Sequence, residues 1–300
     1  MTIGLVGLGA VGTMYACELA KVFPKDDVLV IADEDRIARY KRDGVLANHQ
    51  PLDLTYVSGD EAPVAELLIF ATKHYALKEA ALMAQGAIGD NTVVVSFLNG
   101  VTSEGVISEL CHPQHLLYAT VQGMDATRTG NDVFYDRVGS VTFGTKDGRE
   151  NNDTNVLAGV LTQAGIAFDI VPDIIRRQYS KWMLNCGINQ TCAYYACGYG
   201  KALEDPEASR DLLLSMEEAR QCAIAEGYDL SVRERDEWIA LMGKLAYDGE
   251  PSMRQDTKAG RPTEYDLFSG YVLELGRKHR IPVPVNEKFY TFLQEREKDL

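Results

Sequence analysis

The fold of this chain is decided by residues 3–12, which read IGLVGLGAVG. The stretch places the pattern G-x-G-x-x-G directly after a short apolar run that is typical of a buried strand. A helix is predicted to follow at once, over Val11–Val22. The loop between strand and helix consists of Gly7, Leu8, Gly9, Ala10, Val11 and Gly12. In this strand–loop–helix order, the glycine pattern predicts binding of a dinucleotide.

The three glycines of this loop are expected to have separate tasks. Gly7 permits the tight turn, Gly9 lets the backbone approach a pyrophosphate, and Gly12 lets the helix pack against the strand. The amino terminus of the helix then offers free N–H groups and the positive end of its dipole to the phosphates. The alternative is a glycine turn with a purely structural role, and the flanking strand and helix favour dinucleotide binding over it.

An acidic residue, Asp33, ends the second apolar run, 21 residues beyond the glycine pattern. An acid at about this distance accepts the 2′-hydroxyl of the adenosine ribose, and its charge repels a 2′-phosphate. Asp33 therefore favours NAD over NADP, although Arg36 or Arg39 could bind a phosphate. The alternative role of Asp33 is to cap the helix predicted over Glu34–Asp43.

Strands and helices alternate in the prediction for the first part of the chain. The apolar runs are nearly continuous, which is typical of a parallel sheet covered on both faces. Three later strands, predicted over Leu116–Val121, Asp132–Tyr135 and Ser140–Phe143, have no helices between them and suggest an antiparallel extension of this sheet. The other predicted elements are strands over Ile3–Gly7, Val28–Ala32, Leu67–Ala71, Thr92–Phe97 and Ala167–Ile170 and helices over Ser103–Leu110 and Asn155–Ala164.

The strand signals stop after Pro172. Amphipathic segments of helical length follow, which predicts an all-helical C-terminal part. The fold class is therefore α/β, with an N-terminal Rossmann dinucleotide-binding domain over residues 1–171 and a helical domain over residues 172–300. The helices are predicted over Ile174–Tyr195, Pro206–Glu226, Ser231–Tyr247, Thr263–His279 and Val285–Lys298.

The composition argues against several other classes of function. The net charge of −14 argues against nucleic acids and anionic membranes as partners, because both require a basic surface. No apolar stretch reaches the roughly 18 residues that span a bilayer. The chain starts without a basic, cleavable leader, so we expect a soluble cytoplasmic protein. The six cysteines form no C-x-x-C pair and the five histidines are scattered, so neither a disulfide framework nor a metal site is expected.

Two polar residues follow strands of the predicted parallel sheet. Lys73 lies just after the third strand, in FATK, and Asn99 just after the fourth, in SFLNG. Open α/β sheets bind ligands at the carboxyl ends of their strands, so both residues are candidates for a ligand site. The alternative for Lys73 is a solvated lysine at the start of a helix.

A polar line is predicted on the first helix of the second domain. Lys181, Asn185 and Asn189 are spaced i, i+4 and i+8 in KWMLNCGIN, so they share one face of the helix. The alternative is a solvated polar stripe. The rest of this helix is mostly apolar, however, and polar groups on a mostly buried helix must find partners. A bound ligand would supply them.

Two segments nearer the C-terminus complete the pattern. Ser252 opens SMRQD, and Glu264 lies in GRPTEYD ahead of Gly270. Together with the glycine loop, the two strand-end residues and the lysine helix, these segments resemble the ketopantoate reductase (2-dehydropantoate 2-reductase) family over nearly the whole chain. The resemblance implies a Rossmann domain, a helical domain and an active site in the cleft between them. It also implies a small 2-oxo acid as substrate, with NADP as the usual cofactor.

The resemblance further implies roles for individual residues. Lys181 would be the general acid that stabilises and protonates the alkoxide formed at the ketone oxygen. Glu264 would orient the lysine ammonium, whereas its alternative interpretation is an acid early in a helix. The substrate would be bound by Asn99, Asn185, Asn189 and Ser252. The cofactor would be bound by the glycine loop, Asp33, Lys73, Asn99 and Glu264.

Two positions depart from the family pattern. Tyr199-Gly200 stands where many members carry an asparagine before the glycine, and Asp33 stands where NADP-using members tend to carry arginine. Losing a polar partner for a substrate hydroxyl can alter specificity strongly. We expect reduction of a branched 2-oxo acid, first of all 2-dehydropantoate to D-pantoate in pantothenate biosynthesis. The alternatives are an NAD-dependent D-2-hydroxyacid dehydrogenase of the D-mandelate type and a non-catalytic dinucleotide sensor. The helical domain could also mediate a homodimer.

Overall fold

The computed structural model describes residues 1–298, which divide into one unit over Met1–Ile175 and a second that begins at Arg176. The strands are β1 (Ile3–Val6), β2 (Val28–Ile31), β3 (Leu46–Ala47), β4 (Gln50–Pro51), β5 (Thr55–Val57), β6 (Leu67–Phe70), β7 (Val93–Ser96), β8 (His115–Gln122), β9 (Thr127–Thr129), β10 (Asp132–Phe134), β11 (Ser140–Gly144) and β12 (Ala167–Ile170). The α-helices are α1 (Ala10–Ala20), α2 (Glu34–Asp43), α3 (Leu77–Ala84), α4 (Ser103–Cys111), α5 (Asn152–Gln163), α6 (Ile174–Tyr194), α7 (Tyr199–Glu204), α8 (Pro206–Ala225), α9 (Val232–Met242), α10 (Ser252–Lys258), α11 (Ser269–His279) and α12 (Pro284–Glu297). None of the helices in these residues is long and apolar enough to cross a membrane.

A largely parallel sheet forms the centre of the first unit, as the sequence predicts. Its strand order is β12-β11-β8-β7-β6-β1-β2-β5, and the neighbours from β5 to β8 run parallel. Strands β1, β2, β6 and β7 are buried along their whole length. Separate apolar clusters cover the two faces of the sheet. Burial on both faces explains why these strands are continuous apolar runs rather than alternating ones.

The connections between strands change direction beside β1. From β1 the chain passes to β2 and β5 on one side, and it then returns to β6, β7 and β8 on the other. Open α/β sheets bind ligands outside the carboxyl ends of the strands at such a switch point. The glycine loop leaves the sheet at this point, because it follows β1 directly.

The antiparallel part of the unit differs from the prediction. Strand β8 still pairs in parallel with β7, and only β11 runs antiparallel to β8. The expectation that Asp132–Tyr135 extends the main sheet is wrong: as β10 it pairs with β3 and β9 in a separate four-stranded sheet. The partner strands β3 and β9 have only two and three residues, which is too short for a periodic apolar pattern to reveal them.

The glycine loop takes a conformation that side chains would prevent. Gly7 has a φ of +102°, in a region that residues with a Cβ rarely adopt. A Cβ on Gly12 would overlap the carbonyl oxygen of Gly7. Only glycine at position 12 therefore lets α1 approach the end of β1 so closely. These are the turn and the helix–strand packing that the pattern predicts.

The second unit is helical throughout its described residues, and two of its helices differ from the prediction. The helix expected over Ser231–Tyr247 already ends at Met242. The helix expected over Thr263–His279 begins only at Ser269, because Phe268 adopts φ −104° and ψ −94° and separates it from a preceding 3-10 turn. Helices α7 and α10 were not predicted, since six and seven residues are too few to show a helical period.

The core of the second unit gathers large side chains from four helices. Trp182 of α6, Met216 of α8, Val272 of α11 and Phe289 of α12 are all essentially inaccessible to solvent. One face of α6 is therefore held against the other helices of its unit. Because this packing fixes the rotation of α6, it also fixes the direction in which the residues on its other faces point.

Gly12→Ala should lower the free energy of unfolding of the first unit by about 1–3 kcal/mol or more, because the added Cβ would force α1 away from β1. Gly159→Ala is the matched control. Gly159 is exposed in α5 with nothing within 4 Å of an added Cβ, so alanine there should raise stability by about 0.5–1 kcal/mol. Urea unfolding followed by circular dichroism measures both, and similar effects of the two substitutions would contradict the close approach.

Candidate active site

Four segments predicted to bind the cofactor lie side by side at one edge of the parallel sheet. The strands that precede them, β7, β6, β1 and β2, are neighbours in the sheet. Their paired last residues are Ser96, Phe70, Val6 and Ile31. Asn99, Lys73, the glycine loop and Asp33 therefore follow strands that end at the same level. This carboxyl edge is where α/β sheets bind ligands.

The amino terminus of α1 is shaped to accept an anion. Gly9 caps the helix, no side chain among residues 1–298 caps its first turn, and that turn contains no acidic residue. A Cβ added to Gly9 would meet only the carbonyl oxygen of Ala71, at 4.0 Å, so the space above this residue is open. Uncapped N–H groups, open space and the positive end of the helix dipole suit a pyrophosphate.

Asp33 lies in both of the positions that the sequence allows for it. It follows β2 at the carboxyl edge, and it caps α2, because its Oδ1 accepts a hydrogen bond from the backbone N–H of Arg36 at 2.7 Å. Its Oδ2 lies 3.3 Å from the Nε of Arg36, so this guanidinium is held beside the acid. Arg39 instead places its guanidinium 5.6 Å from the centre of the Tyr40 ring. The Asp33 side chain is 48% exposed, which leaves room for a ribose hydroxyl.

Lys73 and Asn99 each lie in the segment that follows their strand. The carbonyl of Lys73 accepts a hydrogen bond from the N–H of Ala76 at 3.0 Å and so starts the 3-10 helix His74–Ala76. Lys73 is therefore at a helix start, but it is half-buried and not fully solvated. Asn99 is also half-buried, and it precedes Gly100, whose φ of +89° turns the chain.

Helix α6 carries the predicted polar line in a buried setting. Asn185 and Asn189 are 8% and 4% exposed, and neither amide side chain has a hydrogen-bond partner within residues 1–298. Lys181 is half-buried one turn away, and burial lowers the pKa of its ammonium to about 8. The interpretation as a solvated stripe is therefore wrong. Both amides keep some contact with accessible space, because neither belongs to the fully buried side-chain atoms that lack a hydrogen-bond partner. This face is therefore a candidate for binding a polar ligand.

The neighbouring buried amide, Gln190, has its partners inside the protein. Its Nε2 donates to the Oδ1 of Asn286 at 3.0 Å and to the carbonyl of Cys186 at 2.8 Å. Its Oε1 accepts a hydrogen bond from the N–H of Ser269 at 3.0 Å. These bonds link α6 to α11 and α12 and fix its rotation. The face that carries Asn189 is thereby held in a defined direction.

A second anchor lies next to Lys181. The indole Nε1 of Trp182 donates to the carbonyl of Leu267 at 2.8 Å, and the N–H of Leu267 donates to the carbonyl of Glu264 at 3.0 Å. The first bond ties this segment to the residue after Lys181, and the second holds Glu264 to Leu267 within the segment. Glu264 is half-buried and precedes the 3-10 helix Tyr265–Leu267. The interpretation of Glu264 as an acid inside the first turn of an α-helix is wrong.

Ser252 and Tyr199 lie in segments that are joined by backbone contacts. The N–H of Tyr199 donates to the carbonyl of Gly249 at 2.9 Å. A Cβ on Gly249 would lie 2.9 Å from the Tyr199 ring, so the ring packs directly on this glycine. Burial raises the pKa of the tyrosine hydroxyl to about 12. Ser252 follows as the exposed first residue of α10, so an aromatic ring covers the segment that leads to this serine.

One cation at the glycine loop was missed by the sequence analysis. Arg128, in β9 of the four-stranded sheet, donates from its Nη1 to the carbonyl of Leu8 at 2.5 Å. The two residues are 120 positions apart in the chain. No local pattern links them, and the sheet that carries the arginine was not predicted.

Comparison with known proteins finds relatives over both units. The family model described as "Ketopantoate reductase PanE/ApbA" matches residues 3–148, and the model described as "Ketopantoate reductase PanE/ApbA C terminal" matches residues 173–297. The 2-dehydropantoate 2-reductase of Aquifex aeolicus (strain VF5) is 23% identical over 290 residues, which cover 94% of this chain and 93% of the relative.

Two solved structures resemble the fold. The PanE/ApbA family ketopantoate reductase from Ralstonia eutropha JMP134 has a TM-score of 0.86 at 22% identity and covers 100% of this chain and 99% of its own. The complex of D-mandelate dehydrogenase with NADH has a TM-score of 0.89 at 22% identity and covers 100% of both chains. The predicted fold class, a Rossmann domain followed by a helical domain, is confirmed.

Trp182→Phe should lower the free energy of unfolding by about 1–3 kcal/mol, because the Leu267 carbonyl loses its buried partner. Trp238→Phe removes the same atoms and is the matched control. The Nε1 of Trp238 donates to the hydroxyl of Ser180 at 2.9 Å from a half-buried position, so its loss should cost under about 1 kcal/mol. Denaturant unfolding measures both variants, and an equal or larger cost for Trp238→Phe would contradict the anchoring of the Glu264 segment.

Proposed function

Because the chain belongs to the ketopantoate reductase family of NAD(P)-dependent oxidoreductases, we propose that it reduces a branched 2-oxo acid. The first candidate is 2-dehydropantoate, whose reduction yields D-pantoate for pantothenate biosynthesis. The proposal extends to this chain the activity for which the Aquifex aeolicus relative is named. The observation that carries it is the buried face of α6, which combines an ammonium with two amides that lack protein partners among the described residues.

The polar face of α6 suits a 2-oxo acid. The amides of Asn185 and Asn189 each offer donors and acceptors, and substrate oxygens would satisfy them. The exposed hydroxyl of Ser252 would donate to the substrate carboxylate. Asn99, three residues after β7, would contact both the substrate and the nicotinamide. These contacts would hold the keto group in one orientation. Holding reacting groups in a fixed orientation supplies a large part of an enzyme's rate enhancement.

Lys181 would act as the proton donor. When bound, the reduced nicotinamide supplies a hydride to the ketone carbon, and negative charge develops on the ketone oxygen. The Lys181 ammonium would stabilise this charge and pass its proton to the oxygen. A pKa of about 8 suits the role, since the group stays mostly protonated at neutral pH yet releases its proton more readily than an ordinary lysine. Glu264, on the segment anchored to Trp182, would orient the ammonium.

The first unit has the features that would hold the dinucleotide. Residues 7–12 would bind the pyrophosphate at the amino terminus of α1, and Lys73 and Asn99 would lie near the nicotinamide end. Asp33 would accept the ribose hydroxyl, and its partner Arg36 is already held at the carboxylate. We therefore favour NADH over NADPH.

The two proposed functions are assigned to successive parts of the chain. Dinucleotide binding is assigned to residues 1–171, and substrate binding and catalysis to residues 172–300. Assembly into a homodimer stays a prediction, which light scattering on the purified protein tests.

A second candidate is an NAD-dependent D-2-hydroxyacid dehydrogenase of the D-mandelate type. Tyr199 favours it, because this residue stands where many family members carry an asparagine. Its aromatic ring packs on Gly249. A ring at this position offers apolar surface to a bulky substituent and no amide to a substrate hydroxyl. Asp33 points in the same direction through its preference for NAD.

The first assay follows the absorbance of NADH and of NADPH with 2-dehydropantoate and with benzoylformate. We expect turnover of 2-dehydropantoate, with the higher kcat/KM for NADH. Turnover of benzoylformate alone would favour the second candidate. Cofactor binding without turnover of any branched 2-oxo acid would contradict both and favour a dinucleotide sensor.

Asp33→Ser keeps a helix cap and should raise kcat/KM with NADPH relative to NADH at least several-fold.

The kcat/KM for the oxo acid should fall as the pH rises through about 8, because the reduction needs the protonated form of Lys181. Oxidation of the hydroxy acid should rise through the same range, since it needs the neutral amine. Lys181→Met should lower reduction by at least about 100-fold and remove this limb of the profile, with cofactor affinity nearly unchanged. Lys278→Met, which breaks only a surface pair with Glu226, is the control. A pH profile that Lys181→Met leaves in place would rule out Lys181 as the proton donor.

A further inference from the structure

We propose that Arg128 is a dinucleotide-binding residue, which positions the glycine loop and supplies positive charge to the pyrophosphate. The inference rests on the proposed dinucleotide site in the first unit. It adds a residue from the four-stranded sheet, which neither the glycine pattern nor the resemblance to the family includes.

The guanidinium of Arg128 bridges two backbone carbonyls. Its Nη1 donates to Leu8 at 2.5 Å, and its Nε donates to Gly130 at 2.8 Å. Gly130 has a φ of +62° and forms the turn between β9 and β10. The side chain is half-buried. Because a guanidinium is planar and rigid, two bonds at different edges fix both its position and its plane.

The bond to Leu8 bears directly on phosphate binding. Leu8 lies between Gly7 and Gly9, so its carbonyl belongs to the loop that would receive the pyrophosphate. A backbone carbonyl turned toward the phosphates would repel them. Bonded to Arg128, the oxygen is held by the guanidinium, and the loop keeps a shape that presents its N–H groups to an anion.

The charge of Arg128 also matters because of where it lies. The chain carries a net charge of −14, and the first and last turns of α1 contain no basic residue. Arg36, in the segment after the neighbouring strand β2, is paired with Asp33. A cation bonded to the loop backbone lies within the screening length, about 8 Å at physiological salt, of a phosphate on that loop. It would therefore offset part of the repulsion from the acidic chain.

The four-stranded sheet is itself tied to the glycine helix. The hydroxyl of Tyr135, just after β10, donates to the Oε1 of Glu18 in α1 at 2.6 Å. Val133 pairs with Arg128 across β10 and β9 and is buried in the core beneath α1. The strand that carries Arg128 is thus fixed to the helix whose amino terminus would bind the phosphates. This arrangement gives the small sheet a role at the cofactor site.

The test measures binding of ADP-ribose and of adenosine by calorimetry, with no substrate present. Arg128→Met should raise the Kd of ADP-ribose at least tenfold, leave that of adenosine within twofold, and flatten the dependence of Kd on salt. Arg137→Met is the control, because Arg137 lies just after β10, pairs with Asp125 at 3.2 Å and is 70% exposed. Arg128→Lys keeps the charge but cannot span both carbonyls, so it should weaken ADP-ribose binding by about threefold or more.

An unchanged Kd of ADP-ribose in Arg128→Met, or equal weakening of ADP-ribose and adenosine, would overturn the inference. If Arg128→Met does not fold, Arg128→Lys decides in the same way: an unchanged Kd contradicts the role. A protein that binds ADP-ribose through Arg128 but reduces no oxo acid would support this inference and contradict the proposed function. A wild-type protein that binds neither ADP-ribose nor NADH would overturn both.

Discussion

The close approach of α1 to the end of β1 is the contact on which the first unit depends. Gly12 lies against the carbonyl of Gly7, and Gly7 itself takes a positive φ. No side chain fits between them, so the helix leaves the strand at once and its amino terminus stays at the carboxyl edge of the sheet. The neighbouring strands end at the same level because they pair in register. One steric constraint therefore gathers the helix dipole and the strand-end side chains at one edge.

In the second unit, the pairing of buried polar groups has a comparable effect. Gln190 finds partners on α11 and α12, and Trp182 finds one on the segment of Glu264. These bonds would be lost if α6 rotated about its axis. The orientation of α6 that these bonds fix keeps Asn185 and Asn189 buried without partners among residues 1–298. The stability of the unit and the availability of a polar face for a ligand thus follow from one set of contacts.

Particular residues show how far local patterns carry. The two interpretations of Asp33, ribose acceptor and helix cap, do not exclude each other, because a residue at the end of β2 is also the first before α2. The local pattern places Asp132–Tyr135 in the wrong sheet, since its partner β3 is too short to leave a signal. The early start expected for the helix at Thr263 failed at Phe268, whose backbone leaves the helical region. Each miss concerns a pairing or a break that neighbouring residues do not encode.

The sequence by itself determined the α/β class, the glycine loop, the order of the strand-end residues and the shared helix face of Lys181, Asn185 and Asn189. These follow from periods of two and 3.6 residues and from short spacings, which are local properties of the chain. Only the tertiary structure decided that this face is buried, that the pKa of Lys181 is lowered, that Trp182 reaches Leu267 and that Arg128 reaches Leu8. The last two contacts join residues 85 and 120 positions apart. Burial and long-range hydrogen bonds depend on which segments pack together, and no stretch of sequence contains that information alone.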